Sequence, residues 1–140
     1  MNFLRKDTDY AARALIETAL AGKRFISSSR IAGKQKIPAA YLRRLLSRLI
    51  SAGYLEAKEG AGGGVRLARD PRAITLAELL ELFQGGIEVS KCLFRKKLCA
   101  NRAVCPLRKR MKKIESRLAL EFKNITLASL VRDVKAGTLK

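Results

Sequence analysis

Cysteine is the residue type whose placement in this chain already implies chemistry. Cys92, Cys99 and Cys105 are the only three among 140 residues, with six and then five residues between them. The stretch that holds them, Lys91 to Lys113, carries ten lysines and arginines and no aspartate or glutamate. Nearby positive charge stabilises a thiolate, so these thiols should ionise more readily than a free cysteine. Thiolates hold iron–sulfur clusters, and three of them supply three corners while leaving one short. Structural zinc wants four ligands, usually in closely spaced pairs, and no Cys-x-x-Cys occurs here. The chain has no histidine to complete either kind of site. Three reduced cysteines without a metal are the plain alternative.

Composition narrows the partners. Thirty basic residues against twelve acidic ones give a net charge of +18. Charge this one-sided repels itself unless a polyanion offsets it, and nucleic acid is the obvious one. No apolar run approaches the roughly 18 residues of a membrane span, and the N-terminus lacks an apolar signal region. An odd number of cysteines confined to one stretch fits a reducing cytoplasm better than a disulfide framework. Without histidine, and with the acids scattered, no nucleophile–base pair is evident, so an enzyme and a small-molecule substrate are not expected.

The elements that must position the cysteines read as follows. Thr8 or Asp7 is the expected cap of a first helix, with Gly22 as its stop, and Ala11, Ala14, Leu15 and Ala19 share one face. Ser27, Ser28 and Ser29 offer a cap for a short helix near residues 30–34, and Pro38 suits the first turn of the next. In that third helix Leu42, Leu45, Leu46, Leu49 and Ile50 form an apolar stripe, while Arg43, Arg44, Ser47 and Arg48 lie opposite, below Ala40 and Tyr41. A short helix, a turn and a longer helix with a basic face is helix-turn-helix grammar. A hairpin follows, with strands near 54–58 and 65–68 and a tip containing Gly60, Gly62, Gly63 and Gly64 between Lys58 and Arg66. Thr75-x-x-Glu78 is a capping box for a fourth helix ending at Gly85-Gly86. Pro106 opens a long helix in which Leu107, Met111, Ile114, Leu118, Phe122 and Ile125 recur every three or four residues, the pattern of a seam against a partner helix. Thr126 caps a last short helix that stops at Gly137.

In this order the pieces resemble the IscR and NsrR regulators. The likeness is carried by Thr8-Asp9-Tyr10-Ala11-Ala12-Arg13, by Tyr41-Leu42 through Leu49, by Gly60-Ala61-Gly62-Gly63-Gly64, by three cysteines before a long helix, and by Asn124-Ile125-Thr126-Leu127-Ala128-Ser129-Leu130. The resemblance implies a mostly α fold: a winged helix-turn-helix domain over 1–84, a cysteine loop over 85–106, and a dimerisation helix with a short C-terminal helix over 107–140. It implies double-stranded DNA and a second copy of the chain as partners, with no membrane. The expected DNA-binding residues are Ser28, Ser29, Ala40, Tyr41, Arg43, Arg44, Arg48, Lys58, Gly60, Gly62, Gly63 and Arg66. Dimerisation is expected through Leu107, Met111, Ile114, Leu118 and Phe122.

The resemblance also implies an iron–sulfur cluster, [4Fe–4S] in preference to [2Fe–2S], on Cys92, Cys99 and Cys105. Asp9 is the expected fourth ligand, since its counterpart in NsrR-like relatives supplies a carboxylate from the opposite subunit; Asp7 and Glu88 are rivals. A carboxylate is a weaker partner for iron than thiolate, which would make that corner labile. The expected function is transcriptional regulation in response to redox, nitric oxide or cluster status. A cluster-free thiol-sensing regulator and a basic RNA-binding protein are the alternatives. Two departures stand out: Glu59 takes the place of the usual basic residue before the wing, and Arg43 replaces a glutamate that discriminates operators in one branch.

Overall fold

A computed structural model describes residues 3–89 and 104–137. Cys92 and Cys99 lie outside the described residues. The elements run α1 (Lys6–Leu20), α2 (Ser28–Gln35), α3 (Ala39–Ser51), β1 (Leu55–Lys58), β2 (Gly64–Leu67), a 3-10 turn (Pro71–Ala73), α4 (Leu76–Gln84), α5 (Pro106–Asn124) and α6 (Leu127–Lys135). The predicted stripe on α3 faces inward: Leu42, Leu45, Leu46 and Leu49 are buried against Ala11, Ala14 and Leu15 of α1. Ile31 and Ile37 close the helix-turn-helix corner from below, and Lys36 makes that corner by adopting a left-handed conformation, φ 53°.

Strands β1 and β2 pair antiparallel from Leu55↔Leu67 to Lys58↔Gly64. Ile26 adds a third rung, exchanging both backbone hydrogen bonds with Val65 at 2.9 Å. That rung holds the start of α2 beside the wing. Gly64 is required there, because a Cβ at its φ of +145° would meet the Ile26 carbonyl oxygen at 2.1 Å.

The capping box of α4 forms as its sequence predicts: Thr75 Oγ1 accepts from the Glu78 amide, and the Glu78 carboxylate accepts from the Thr75 amide at 2.8 Å. Thr126 makes the equivalent reciprocal cap with Ser129 at α6. The two caps lie side by side, with Leu76 N–H donating to the Ile125 carbonyl (2.9 Å) and Leu127 N–H to that of Ile74 (2.8 Å). Leu127 is thereby buried in the main core, and α6 packs on α1. The C-terminal helix thus lies against the core that α1, α3 and α4 share. Ile125, expected in the α5 seam, is instead extended backbone beyond the helix end, held by this pairing.

Two start signals act differently from expectation. Helix α1 begins at Lys6 with no side-chain cap; Thr8 is fully buried and its hydroxyl donates to Gln84 Oε1 at 2.8 Å, so a tertiary partner has taken the group expected to cap. Helix α2 is longer than expected, because Ser27 caps it by accepting from the Arg30 amide, which leaves Ser28 and Ser29 inside the first turn.

Candidate nucleic-acid interface and metal centre

The outer face of α3 exposes Ala40, Arg43, Arg44, Ser47 and Arg48. Tyr41 is half-buried in the first turn, its ring edge-on to Tyr10 of α1 with centroids 5.5 Å apart. Its hydroxyl donates to Asp7 Oδ1. That bond first, then burial and the Asp7 charge, push the phenol above its usual pKa, so it stays a donor. The Arg44 guanidinium stacks over the Tyr41 ring at 4.8 Å. Arg48 behaves differently from its neighbours: its guanidinium donates to the Leu82 carbonyl at 2.5 Å and lies 4.7 Å over the Phe83 ring, tying α3 to α4. Arg43 and Arg44 are therefore better placed than Arg48 to reach a groove.

In the wing, Gly60 (φ 89°) and Gly62 (φ 72°) shape an exposed tip, and the Gly63 amide donates to the Gly60 carbonyl at 3.0 Å. Lys58 is exposed with its ammonium 5.8 Å from the Phe25 ring. Arg66 is more committed: it pairs with Glu56 across the strands, stacks over Phe25 at 4.4 Å, and reaches the Lys23 carbonyl. Phe25 thus carries both wing cations, a role that nothing local in the sequence marks. Ser28 is half-buried and Ser29 exposed in the first turn of α2, where helix amides point outward and favour an anion. The α3 face and the wing tip are thus exposed, and the Ile26–Val65 bridge holds the start of α2 beside the wing.

Cys105, half-buried, stands at the N-cap of α5 and is a free cysteine among the described residues. Asp9 lies in the first turn of α1, its carboxylate paired with Arg13 at 3.2 Å and about a third exposed. Such a pair, at the surface, is weak enough to be exchanged for another partner. Of the expected ligands only Cys105 and Asp9 are among the described residues, and no group of three or more potential metal ligands occurs within those residues.

Helix α5 has no buried residue. Leu107 is 69% exposed and Ile114 43%, with Met111, Leu118 and Phe122 half-buried and Val104 exposed just before the helix. No described helix is long and apolar enough to cross a membrane.

Comparison with known proteins agrees with this geometry. Residues 4–133 match the family model for Rrf2, iron-dependent transcriptional regulator. The chain is 33% identical to the NsrR transcriptional regulator of Bacillus subtilis over 103 residues, covering 72% of this chain and 70% of that one. It is 30% identical to IscR of Photobacterium profundum over 125 residues, 89% and 72% of the two chains. The solved structure of CymR, the global cysteine regulator of B. subtilis, superposes with a TM-score of 0.76 at 27% identity, over 94% of this chain and 98% of that one. With the winged helix, the wing and the long C-terminal helix all in place, the chain belongs to the Rrf2 family of winged-helix transcriptional regulators.

Proposed function

We propose that the protein is a dimeric regulator that binds double-stranded DNA and whose affinity is set by an iron–sulfur cluster. The observation that supports the DNA reading is the exposure of Arg43 and Arg44 on α3, of Lys58, Gly60 and Gly62 in the wing and of Ser29 in the α2 first turn, with Ser28 and Gly63 half-buried and the start of α2 bridged to the wing by Ile26 and Val65. In this arrangement Arg43 and Arg44 read base edges with Ala40 and Tyr41 beside them, while the α2 amides and Lys58 hold phosphates. Arg66 and Arg48 act mainly within the chain, one stiffening the wing and the other joining α3 to α4. Supporting the dimer is α5, whose apolar stripe leaves Leu107 and Ile114 exposed and Met111, Leu118 and Phe122 only half-buried in a single chain.

Cys92, Cys99 and Cys105 would hold the cluster with Asp9 of the second copy in the remaining position. A bound cluster supplies a centre whose integrity depends on redox state, nitric oxide or iron supply. This chain's own part would be to supply the three thiols and to offer a carboxylate that leaves easily. The likeness to CymR favours a second reading, in which the same thiols sense without a cluster. Protein purified without air decides between them. Iron and acid-labile sulfide with visible absorbance, lost in Cys105→Ala and shortened in lifetime in Asp9→Ala, support the cluster. Colourless protein after anaerobic reconstitution, with DNA affinity that still follows thiol oxidation, supports the second reading. Competition between duplex DNA and RNA tests the DNA assignment separately.

A further inference from the structure

The start of α1 reaches the start of the recognition helix through a five-residue cluster of Lys6, Asp7, Tyr10, Tyr41 and Arg44. Lys6 lies 5.4 Å from the Tyr10 ring centroid and 5.7 Å from that of Tyr41, and the two rings meet at 83°. Tyr41 donates its hydroxyl hydrogen to Asp7 and carries Arg44 on its face. The phenol is therefore fixed at its far end by Asp7, along one edge by Tyr10, and offers its open face to the guanidinium. A carboxylate so close to this interface repels phosphates, which makes its presence there costly if charge were its only property. Its geometry gives it another use. A guanidinium stacked on an immobile ring presents its planar N–H fork in one orientation, and a fork in one orientation is what a guanine edge in the major groove recognises.

We propose that Asp7 is a positioning residue for DNA sequence preference: by holding the Tyr41 hydroxyl it fixes the ring on which Arg44 lies, so base discrimination by Arg44 depends on a residue that reaches no base. This rests on the reading of α3 as the base-reading helix. Asp7 is thereby separated from Asp9, which lies in the same turn but is paired with Arg13 instead.

The test uses the full chain prepared without air. A preferred duplex is first selected from a random pool, and affinities are then measured at fixed salt for that duplex and for every single-base-pair variant of one half-site. Arg44→Ala should flatten the preference at one guanine position by roughly 5- to 150-fold, the range for a lost bidentate contact. Asp7→Ala should flatten the same position by roughly 3- to 10-fold and leave the others, and the double variant should be no flatter than Arg44→Ala alone. Tyr41→Phe, which keeps the ring but not the hydroxyl, should reproduce Asp7→Ala, whereas Asp7→Asn, which keeps an acceptor oxygen, should retain most of the preference. Uniform tightening on every duplex in Asp7→Ala would show a charge effect only and overturn the proposal. So would losses from Asp7→Ala and Arg44→Ala that simply multiply. If Arg44→Ala leaves the whole profile unchanged, the base-reading assignment of α3 fails and this inference with it; a profile altered by Arg44→Ala but not by Asp7→Ala or Tyr41→Phe overturns the inference alone.

Discussion

Leu127→Ala tests whether the C-terminal helix belongs to the DNA-binding core. Leu127 is 3% exposed, packed in the same cluster as Leu15, Ile74 and Leu79. Truncating a leucine at such a site costs about 2–5 kcal/mol, from lost burial plus the cavity left behind. In a domain of this size about 1 kcal/mol corresponds to roughly 3 °C in Tm, so the midpoint should fall by roughly 6–15 °C. Val134→Ala is the control: it lies on the same helix but is 37% exposed, and should change stability by no more than about 0.5 kcal/mol. Both variants are compared with the parent by thermal denaturation followed by circular dichroism, at one fixed protein concentration because dimerisation shifts the midpoint. Equal shifts for Leu127→Ala and Val134→Ala would refute the claim that α6 is part of the core.

Three further outcomes follow from particular contacts. Burial opposes the Glu78 carboxylate, but the Thr75 amide and the Arg69 guanidinium outweigh it and hold its pKa below the usual 4.5. Its charged form therefore stabilises the fold above that value and the benefit is lost as pH falls through the lowered one, so Glu78→Gln should flatten the stability–pH curve below about pH 5 in denaturant titrations. Gly64→Ala places a Cβ against the Ile26 carbonyl and should cost at least about 1–3 kcal/mol, more than Gly60→Ala, whose Cβ meets open space; equal losses in urea unfolding would contradict the close approach. Ile114→Glu combined with Leu118→Glu should leave a folded monomer in sedimentation that no longer binds a two-half-site duplex, and an unaltered dimer would remove α5 from the interface.

What could be read from the sequence was local. The α3 stripe, the Thr75–Glu78 capping box, the Thr126 cap and the glycine-shaped wing each depend on residues within one turn or one hairpin, and periodicity and cap signals expose them. Contacts between distant positions leave no such mark. Tyr41 meets Asp7 and Arg48 meets Leu82 across 34 residues, and Thr8 meets Gln84 across 76. A basic face therefore reads as three equivalent arginines, although one of them is tied to α4. Asp7 reads as a helix-start carboxylate because its partner is on another helix. Phe25, with no aromatic neighbour in sequence, shows nothing of the two cations it supports.

The pairing of the two capped segments has a consequence for how the molecule comes together. Ile74–Leu76 and Ile125–Leu127 lie side by side and so close a loop of roughly 50 residues, of which α4 stays in the core while the stretch from the end of α4 to the end of α5 is an excursion from it. The contact at its neck is long in sequence, and closing it costs chain entropy that the two backbone hydrogen bonds and the burial of Leu127 offset. Order in the arm lowers that cost. Any ligand that stiffens the excursion, or any second copy that grips α5, would therefore raise the resistance of the winged helix to unfolding without touching it. For the same reason the arm cannot be trimmed from its far end without opening the neck, whereas bridging the excursion by a short linker after α4 would leave α6 free to dock.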